Sequence, residues 1–454
     1  MSQITTNNYK IAIVSLGCAK NLVDAECMSQ QLRDNGNQIV PDPSAADVVI
    51  VNTCGFIESA KKEAIDTILV MADLKKPVGK ADFLVVTGCL AQRYRQEIAD
   101  QLPEVDAILG VAQYKDISET IDRLYNIPGK TISNPAAAVD ARLQHLNSFR
   151  KPSTVGFAYI KIAEGCSNNC SYCAIPGIRG PLVSRPLDEI VAEAKYLAGQ
   201  GYHELVLIAQ DTTRYGLDLY GTRELPGLLR AITALSEVSS IRVLYVYADG
   251  ITDELIECLA SEPKILHYLD LPIQHASDKI LKSMNRRDSQ ADLRSVIAKL
   301  RAAMPDLILR TTVMVGFPGE KTAEFNELMN FLQEIRFERL GCFIYSPEEG
   351  TVAERMHPRV RSDVSCRREE QVMLLQQQIT REANQARVGT IVPVLLEEVD
   401  EDGIFYKGRS YGEAPEVDPV ILVAASNESV HLGEVHSVRI LTANEYEMIG
   451  ETVL

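Results

Sequence analysis

The sequence predicts an α/β protein in three parts: a parallel α/β sheet domain over residues 9–125, a partial (β/α) barrel over 153–382 and a small all-β barrel over 385–454. Three observations carry this. Continuous apolar strands alternate with helical stretches in the first two parts, as in parallel sheets covered on both faces. Six βα repeats fill the second part, enough for an open barrel that binds ligands at the carboxyl ends of its strands. The third part holds short strand-like runs separated by turn signals such as Asp402-Gly403.

In the first part the strand candidates are Lys10–Gly17, Ala46–Thr53 and Ala81–Gly88, each followed at once by a cysteine: Cys18, Cys54 and Cys89. Helical stretches run from about Leu22 to Asn35 and from about Ile57 to Leu74. The cysteines are 36 and 35 residues apart, one βαβ unit each. They therefore fall on one sheet edge, where open α/β sheets bind ligands. The spacing predicts a three-cysteine site assembled from distant residues. Cys27 lies inside the first helical stretch and reads as a small buried hydrophobe. Residues 126–152, with Pro128 and Pro135, read as a linker.

The second part has strand candidates at Phe157–Glu164, Glu204–Gln210, Ile241–Tyr247, His267–Ile273, Leu307–Gly316 and Leu340–Ser346, with crossover helices such as Leu187–Ala198 and Asp278–Leu300. Just past the first strand comes Cys166-Ser-Asn-Asn-Cys170-Ser-Tyr-Cys173. The C-x3-C-x2-C spacing lacks the second pair or nearby histidines of a closed zinc site. Three close thiolates suit three irons of a cubane cluster instead, which leaves the fourth iron open to a substrate or cofactor. Gln210-Asp211-Thr212-Thr213, Gln274-His275 and Gly316-Phe-Pro-Gly-Glu320 end other strands on the same side. Gly316 and Gly319 would let the backbone approach a cofactor closely. His275 is a candidate proton carrier by type and fits equally a hydrogen-bonded residue of the barrel mouth. Cys258, Cys342 and Cys366 show no partner spacing and read as packing or surface thiols.

The third part follows a helical stretch, Gln371 to Ala386, and offers strands at Thr390–Glu397, Ile404–Lys407, Val420–Ala424 and Glu434–Leu441. Residues 389–454 hold 13 acidic and 3 basic side chains, and the whole chain has a formal net charge of -16. That charge disfavours direct nucleic acid binding and favours a basic partner. No apolar run approaches the length that crosses a bilayer. The polar stretch Met1 to Lys10 has no apolar signal core. A cytoplasmic location without membrane attachment is expected, where thiols stay reduced and ten cysteines point to metal or redox chemistry rather than disulfides.

The Cys166–Cys173 spacing, with an aromatic residue, Tyr172, before the last cysteine, resembles the signature of radical S-adenosylmethionine enzymes. The three parts together resemble the methylthiotransferase family of that group. The stretches Ser15-Leu-Gly-Cys-Ala-Lys-Asn-Leu-Val-Asp24, Ala209-Gln-Asp-Thr-Thr213, Leu269-Asp-Leu-Pro-Ile-Gln-His275 and Ala414-Pro-Glu-Val-Asp418 are similar to its protein-modifying branch. That branch has a lysine-asparagine pair after the first cysteine, here Lys20-Asn21, where the tRNA-modifying branch tends to read glutamine-methionine-asparagine. Ala19 stands where proline is frequent.

The resemblance implies a radical S-adenosylmethionine core, a C-terminal TRAM barrel and two [4Fe–4S] clusters. One cluster is expected on Cys166, Cys170 and Cys173, and an auxiliary one on Cys18, Cys54 and Cys89. S-adenosylmethionine, near Tyr172, Gly316 and Gly319, would serve as radical source and methyl donor. The implied reaction places a methylthio group on the β-carbon of an aspartate in the basic twelfth small-subunit ribosomal protein, free or within the subunit. A reductant protein is implied as a further partner. Two alternatives stand beside this reading: a tRNA adenosine methylthiotransferase and a non-catalytic iron–sulfur carrier. A zinc-binding ribosome-associated module is a third.

Overall fold

The computed structural model describes residues 8–126, 132–133, 149–425 and 430–453. Its first sheet contains β1 (Lys10–Ser15), β2 (Gln38–Ile39), β3 (Val48–Thr53), β4 (Phe83–Thr87), β5 (Ala107–Ile108) and β6 (Ile132–Ser133). They pair in parallel in the order β2-β1-β3-β4-β5-β6. β3 and β4 are β-branched apolar runs buried along their whole length, as central parallel strands are. Alternate residues serve opposite faces. Ile11, Val48, Ile50 and Val85 pack with Met28 and Leu32 of the helix Ala19–Asp34, and with Ile117 and Ile121 of the helix Ile117–Asn126. Ala12, Val49, Val51, Leu84 and Val86 pack with Ala64 and Ile68 of the helix Glu58–Ala72. β6 carries this sheet past residue 125. Most of the stretch read as a linker lies outside the described residues.

The central sheet contains β7 (Phe157–Lys161), then β10 (Glu204–Ile208), β11 (Ser240–Val243), β12 (Ile265–Asp270), β13 (Ile308–Val315) and β14 (Arg339–Ile344). It is open and parallel, in the order β14-β13-β12-β11-β10-β7. Between β7 and β10 a short antiparallel ribbon, β8 (Ala163–Glu164) with β9 (Val183–Ser184), frames the cysteine loop. All six expected strands are present. The expected crossover helix from Asp278 to Leu300 is instead two helices, Asp278–Ser283 and Gln290–Ala303. Asn285 takes a left-handed conformation (φ 56°) between them, and Ser289 opens the second with a capping box to Asp292.

One face of the central sheet is closed by its own helices. The other meets both neighbouring parts: Phe157, Tyr159, Val206, Ile208 and Tyr268 pack against Ala19, Val23 and Cys27 of the first helix and against Leu395 and Ala414 of the C-terminal part. Cys27 is the buried hydrophobe expected, only 1% exposed. The helix Ser362–Gln385, longer than the sequence indicated, packs along the edge strand β14 and leads into the last part. There β15 (Ile391–Val399), β16 (Tyr406–Arg409), β17 (Ile421–Ala424), β18 (Val435–Ala443) and β19 (Met448–Thr452) close a barrel in the order β15-β16-β17-β19-β18. β19 was not foreseen. Several acids of this barrel are used within the fold: Glu397 pairs with Arg409, Glu413 with Arg339 and Arg387, and Glu445 with Arg381. The acidic excess offered to a partner is correspondingly smaller than the composition implies.

Candidate active site

Each cysteine of the first trio follows a strand of the first sheet. Cys18 is the N-cap of the helix Ala19–Asp34, Cys54 lies in the turn after β3, and Cys89 is the second residue of the helix Gly88–Arg93. Glycines set these turns. Gly17 has φ +93°, and a Cβ there would lie 2.7 Å from Cβ of Cys54. Gly88 has φ +95°, and its Cβ would lie 2.3 Å from the Thr53 carbonyl oxygen. Only glycine permits both the conformation and the approach.

Asn21, fully buried, ties the three loops together. Its Nδ2 donates to the carbonyls of Leu16 (2.9 Å) and Thr53 (3.0 Å), while its Oδ1 accepts from the Cys89 thiol at 3.8 Å. Asn52 donates to the Asn21 carbonyl at 2.8 Å and accepts from Thr87 at 3.3 Å. Cys18 is exposed, Cys54 half-buried and Cys89 buried.

The second trio lies on the loop after β8. The Cys166 N–H donates to the Gly180 carbonyl at 3.0 Å, and the Asn168 N–H donates to Cys166 Sγ at 3.4 Å. Asn168 Nδ2 donates to Asp211 at 2.7 Å. The Ser171 N–H reaches the Met284 carbonyl at 3.0 Å, so the break between the two crossover helices serves this loop. The strand-end residues singled out from the sequence thus act largely as supports. Gln210 donates to Glu164 at 2.8 Å, and Thr212 to the Leu244 carbonyl at 2.9 Å.

Tyr172 and Cys170 pack with Ile280, Met284 and Phe317, which brings the Gly316–Glu320 turn against the cysteine loop. At Gly316 (φ +76°) a Cβ would lie 2.2 Å from Ser365 Oγ, so this glycine makes room for the helix Ser362–Gln385 rather than for a ligand. Gly319 (φ +83°) faces open space. His275 is fully buried and its Nδ1 accepts from the Ser277 N–H at 2.9 Å. Burial pushes its pKa down to about 3, so it is a neutral structural imidazole and not a proton carrier near neutral pH.

Two connections join the trios. The helix Ile175–Arg179 begins just after Cys173, and its last residue donates from Nε to Cys89 Sγ at 3.4 Å. This five-residue helix and the Arg179 side chain thus link a cysteine of one trio to a cysteine of the other. Arg179 also pairs with Asp24 (3.2 Å) and Glu164 (2.9 Å), and Lys161 pairs with the same two carboxylates. All four side chains are buried. Burial alone would raise the Glu164 pKa, but Arg179 and Lys161 outweigh it and hold the carboxyl well below the usual range.

The second connection is the loop after β11. Tyr245 lies against Lys20, two residues beyond Cys18, and Tyr247 packs beside Cys170 and Tyr172. A separate cavity of about 390 Å³, lined by Arg93, Cys170, Cys173, Ile178 and Thr351, opens between the first part and the cysteine loop. Arg93 and Lys61 of the first part clasp the buried Glu348 after β14 at 2.9 and 3.2 Å.

The sequence singled out the six cysteines, but not Arg179, Lys161, Glu164, Asp24, Tyr245 or Glu348. Each bonds to a partner far along the chain and leaves no local pattern. The donor sets fit iron–sulfur clusters. Each trio is all thiol, the soft donor that iron–sulfur clusters take. Each also has a polar N–H aimed at a sulfur, the kind of contact that tunes such clusters. Burial pushes Cys89 and Cys166 up to about 11 and Cys173 up to about 12, and ligation of a cation deprotonates such thiols. Among the described residues no three His, Cys, Asp or Glu side chains crowd together as ligands of a single ion do. A cubane is held with one thiolate per corner iron, which leaves its cysteines apart.

Comparison with known proteins agrees with this geometry. Residues 160–332 match the radical SAM superfamily, residues 10–110 the family described as "Uncharacterized protein family UPF0004", and residues 388–453 the TRAM domain. Among solved structures, the radical S-adenosylmethionine methyltransferase TsrM from Kitasatospora setae, with tryptophan substrate and a SAM analog bound, superposes with a TM-score of 0.54. It is 14% identical, over 73% of this chain and 72% of that one, a likeness of fold alone. The chain is a radical S-adenosylmethionine enzyme, whose cofactors are [4Fe–4S] clusters and S-adenosylmethionine.

Curated relatives narrow the class. The ribosomal protein uS12 methylthiotransferase RimO of Acetivibrio thermocellus is 45% identical over 98% of both chains. Its counterpart in Clostridioides difficile is 46% identical over 98% of this chain and 99% of its own, and that of Geobacter sulfurreducens 45% over 98% of both. The chain belongs to this RimO family of methylthiotransferases.

Proposed function

We propose that the enzyme methylthiolates the β-carbon of an aspartate in ribosomal protein uS12. The observation that carries this is likeness to RimO enzymes along nearly the whole chain, joined to the convergence of two cysteine trios through Arg179 and the Tyr245–Tyr247 loop. When bound, the clusters and S-adenosylmethionine supply the radical chemistry and the sulfur, because an unactivated C–H bond has no acidic proton for a side chain to remove.

The chain's own residues hold, orient and exclude water. Cys166, Cys170 and Cys173 would hold the cluster that takes S-adenosylmethionine, with Tyr172 and the Gly316–Gly319 turn beside it. Cys18, Cys54 and Cys89 would hold the auxiliary cluster, positioned by Asn21 and Arg179. The cavity between Arg93 and Cys173 is the path by which the substrate loop enters. Residues 9–125, 153–382 and 385–454 would act as cluster domain, radical core and TRAM domain. Cytoplasmic location and a protein reductant complete the reading; no helix among the described residues is long and apolar enough to cross a membrane.

Mass spectrometry of uS12 after incubation with reconstituted enzyme, S-adenosylmethionine and a reductant tests this. A methylthio group on the aspartate is expected, with none on tRNA. Cys54→Ala should lose methylthio transfer and still release 5′-deoxyadenosine, whereas Cys170→Ala should lose both. Methylthio transfer by Cys54→Ala would overturn the two-cluster assignment.

A further inference from the structure

Lys20 is a buried cation that no carboxylate answers; the acidic groups that favour its charge are the Tyr245 hydroxyl and the Cys18 thiol. It is 8% exposed. Among the described residues no carboxylate lies within ion-pair reach of its ammonium, which sits 3.3 Å from the centroid of the Tyr245 ring. The contrast is with Lys161, fully buried, which has both Asp24 and Glu164. A buried ammonium without a carboxylate partner is costly, and an aromatic face offsets only part of that cost. Position makes matters worse: Lys20 is the second residue of the helix Ala19–Asp34, where the helix dipole already favours an anion. The nearby Arg179 has its own charge answered by Asp24 and Glu164.

The partner residue is strained as well. Tyr245 has φ 60°, a conformation that non-glycine residues rarely take, and it is held there by its N–H bond to Asp270 at 3.2 Å. Strain of this kind persists where surrounding structure requires it and gathers at functional sites. Lys20 is two residues from Cys18, and Tyr245 two residues from Tyr247 beside Cys170. An anion at Lys20 therefore lies between the two trios.

We propose that the Lys20 ammonium binds the side-chain carboxylate of the substrate aspartyl residue and so selects it. The assignment rests on the substrate reading given above. In an aspartyl side chain the β-carbon is bonded directly to the carboxylate carbon. Pinning the carboxylate therefore fixes the reacting carbon within one bond, the kind of positioning that saves orientational entropy. Asparagine, of the same shape but uncharged, leaves the buried ammonium unanswered.

The test uses reconstituted full-length enzyme and two fluorescent peptides carrying the uS12 target loop, one with aspartate and one with asparagine at the target. Anisotropy gives Kd, and product formation gives kcat and KM. The unaltered enzyme should prefer the aspartyl peptide about tenfold or more. Lys20→Met and Lys20→Gln should lose that preference through the aspartyl peptide alone, mainly in Kd and KM, and Lys20→Arg should keep most of it. A preference unchanged in Lys20→Met would overturn the role. Equal weakening of both peptides would overturn it too, because it would mean that Lys20 serves the negative charge of the thiolate-bound cluster. Iron content measured on all variants separates these results from loss of the site, and Lys20→Arg carries the test if Lys20→Met does not fold. If the unaltered enzyme placed no methylthio group on the aspartyl peptide, the substrate reading itself would fail, and this assignment with it.

Discussion

Arg179 concentrates what the residue scale adds to the sequence. It touches a cysteine of one trio, stands six residues from a cysteine of the other and shares two carboxylates with Lys161. Arg179→Met would leave Asp24 and Glu164 with one cation between them in a buried site. A cost of about 3–5 kcal/mol to the apoprotein is expected, read from its urea midpoint. Arg179→Lys should recover charge but not the N–H bond to sulfur, because lysine lacks the planar fork. Gly88→Ala is a sharper probe of the first trio. Its added carbon meets the Thr53 oxygen in a conformation alanine resists, so iron bound per chain should fall by about half while the central site still loads. The six cysteines were legible because spacing and strand ends repeat along the sequence. Arg179 was not, and Asn21 was legible only as half of the pair after Cys18, since between them they bond to groups 32, 68, 90 and 155 positions away and no periodicity records such pairs.

At the scale of elements, strands of four or more residues were legible from apolar runs, except β19 (Met448–Thr452), whose run is broken by Gly450 and Glu451. The pairs Gln38–Ile39 and Ala107–Ile108 were not, because two residues show no period, and Ala163–Glu164 was read as the end of the strand before it. The crossover helix was misread for a related reason. Its two halves, Asp278–Ser283 and Gln290–Ala303, keep helical patterning on both sides of a break that one left-handed residue produces. That break has a purpose. Asn285 Nδ2 donates to the Asn169 carbonyl at 2.7 Å, and Ser171 bonds to the Met284 carbonyl, so the helix end props the loop between Cys166 and Cys173. Asn285→Ala should cost about 1–2 kcal/mol through the left-handed conformation, measured as a lower thermal midpoint. Asn285→Gly should restore the conformation but not the loop contact, which separates the two contributions.

The whole molecule is three parts joined by buried ion pairs in a chain of net charge -16. Arg242 of β11 pairs with Glu204 and donates to the carbonyls of Tyr411 (2.8 Å) and Ser410 (3.1 Å) in the barrel part. Glu413 is its clearest pH-sensitive joint. It is fully buried, bonded to Ser410, and paired with Arg339 of the central sheet at 3.0 Å and with Arg387 at the end of the connecting helix. Burial alone would raise its pKa, but Arg387 and Arg339 outweigh that and hold it at about 2, below the ordinary 4.5. A carboxyl whose pKa is lower in the folded state binds protons more readily when unfolded. The stability it contributes is therefore fully present above about pH 4.5 and is lost as pH falls toward 2. A shift of this size corresponds to about 3 kcal/mol. Glu413→Gln removes the charge at every pH and leaves two buried guanidinium groups facing a neutral amide. Urea midpoints of the two apoproteins should differ most at neutral pH, and the gap should close as pH falls from 4.5 toward 2. A gap that stayed constant across that range would show that the arginines hold the barrel through packing instead of charge.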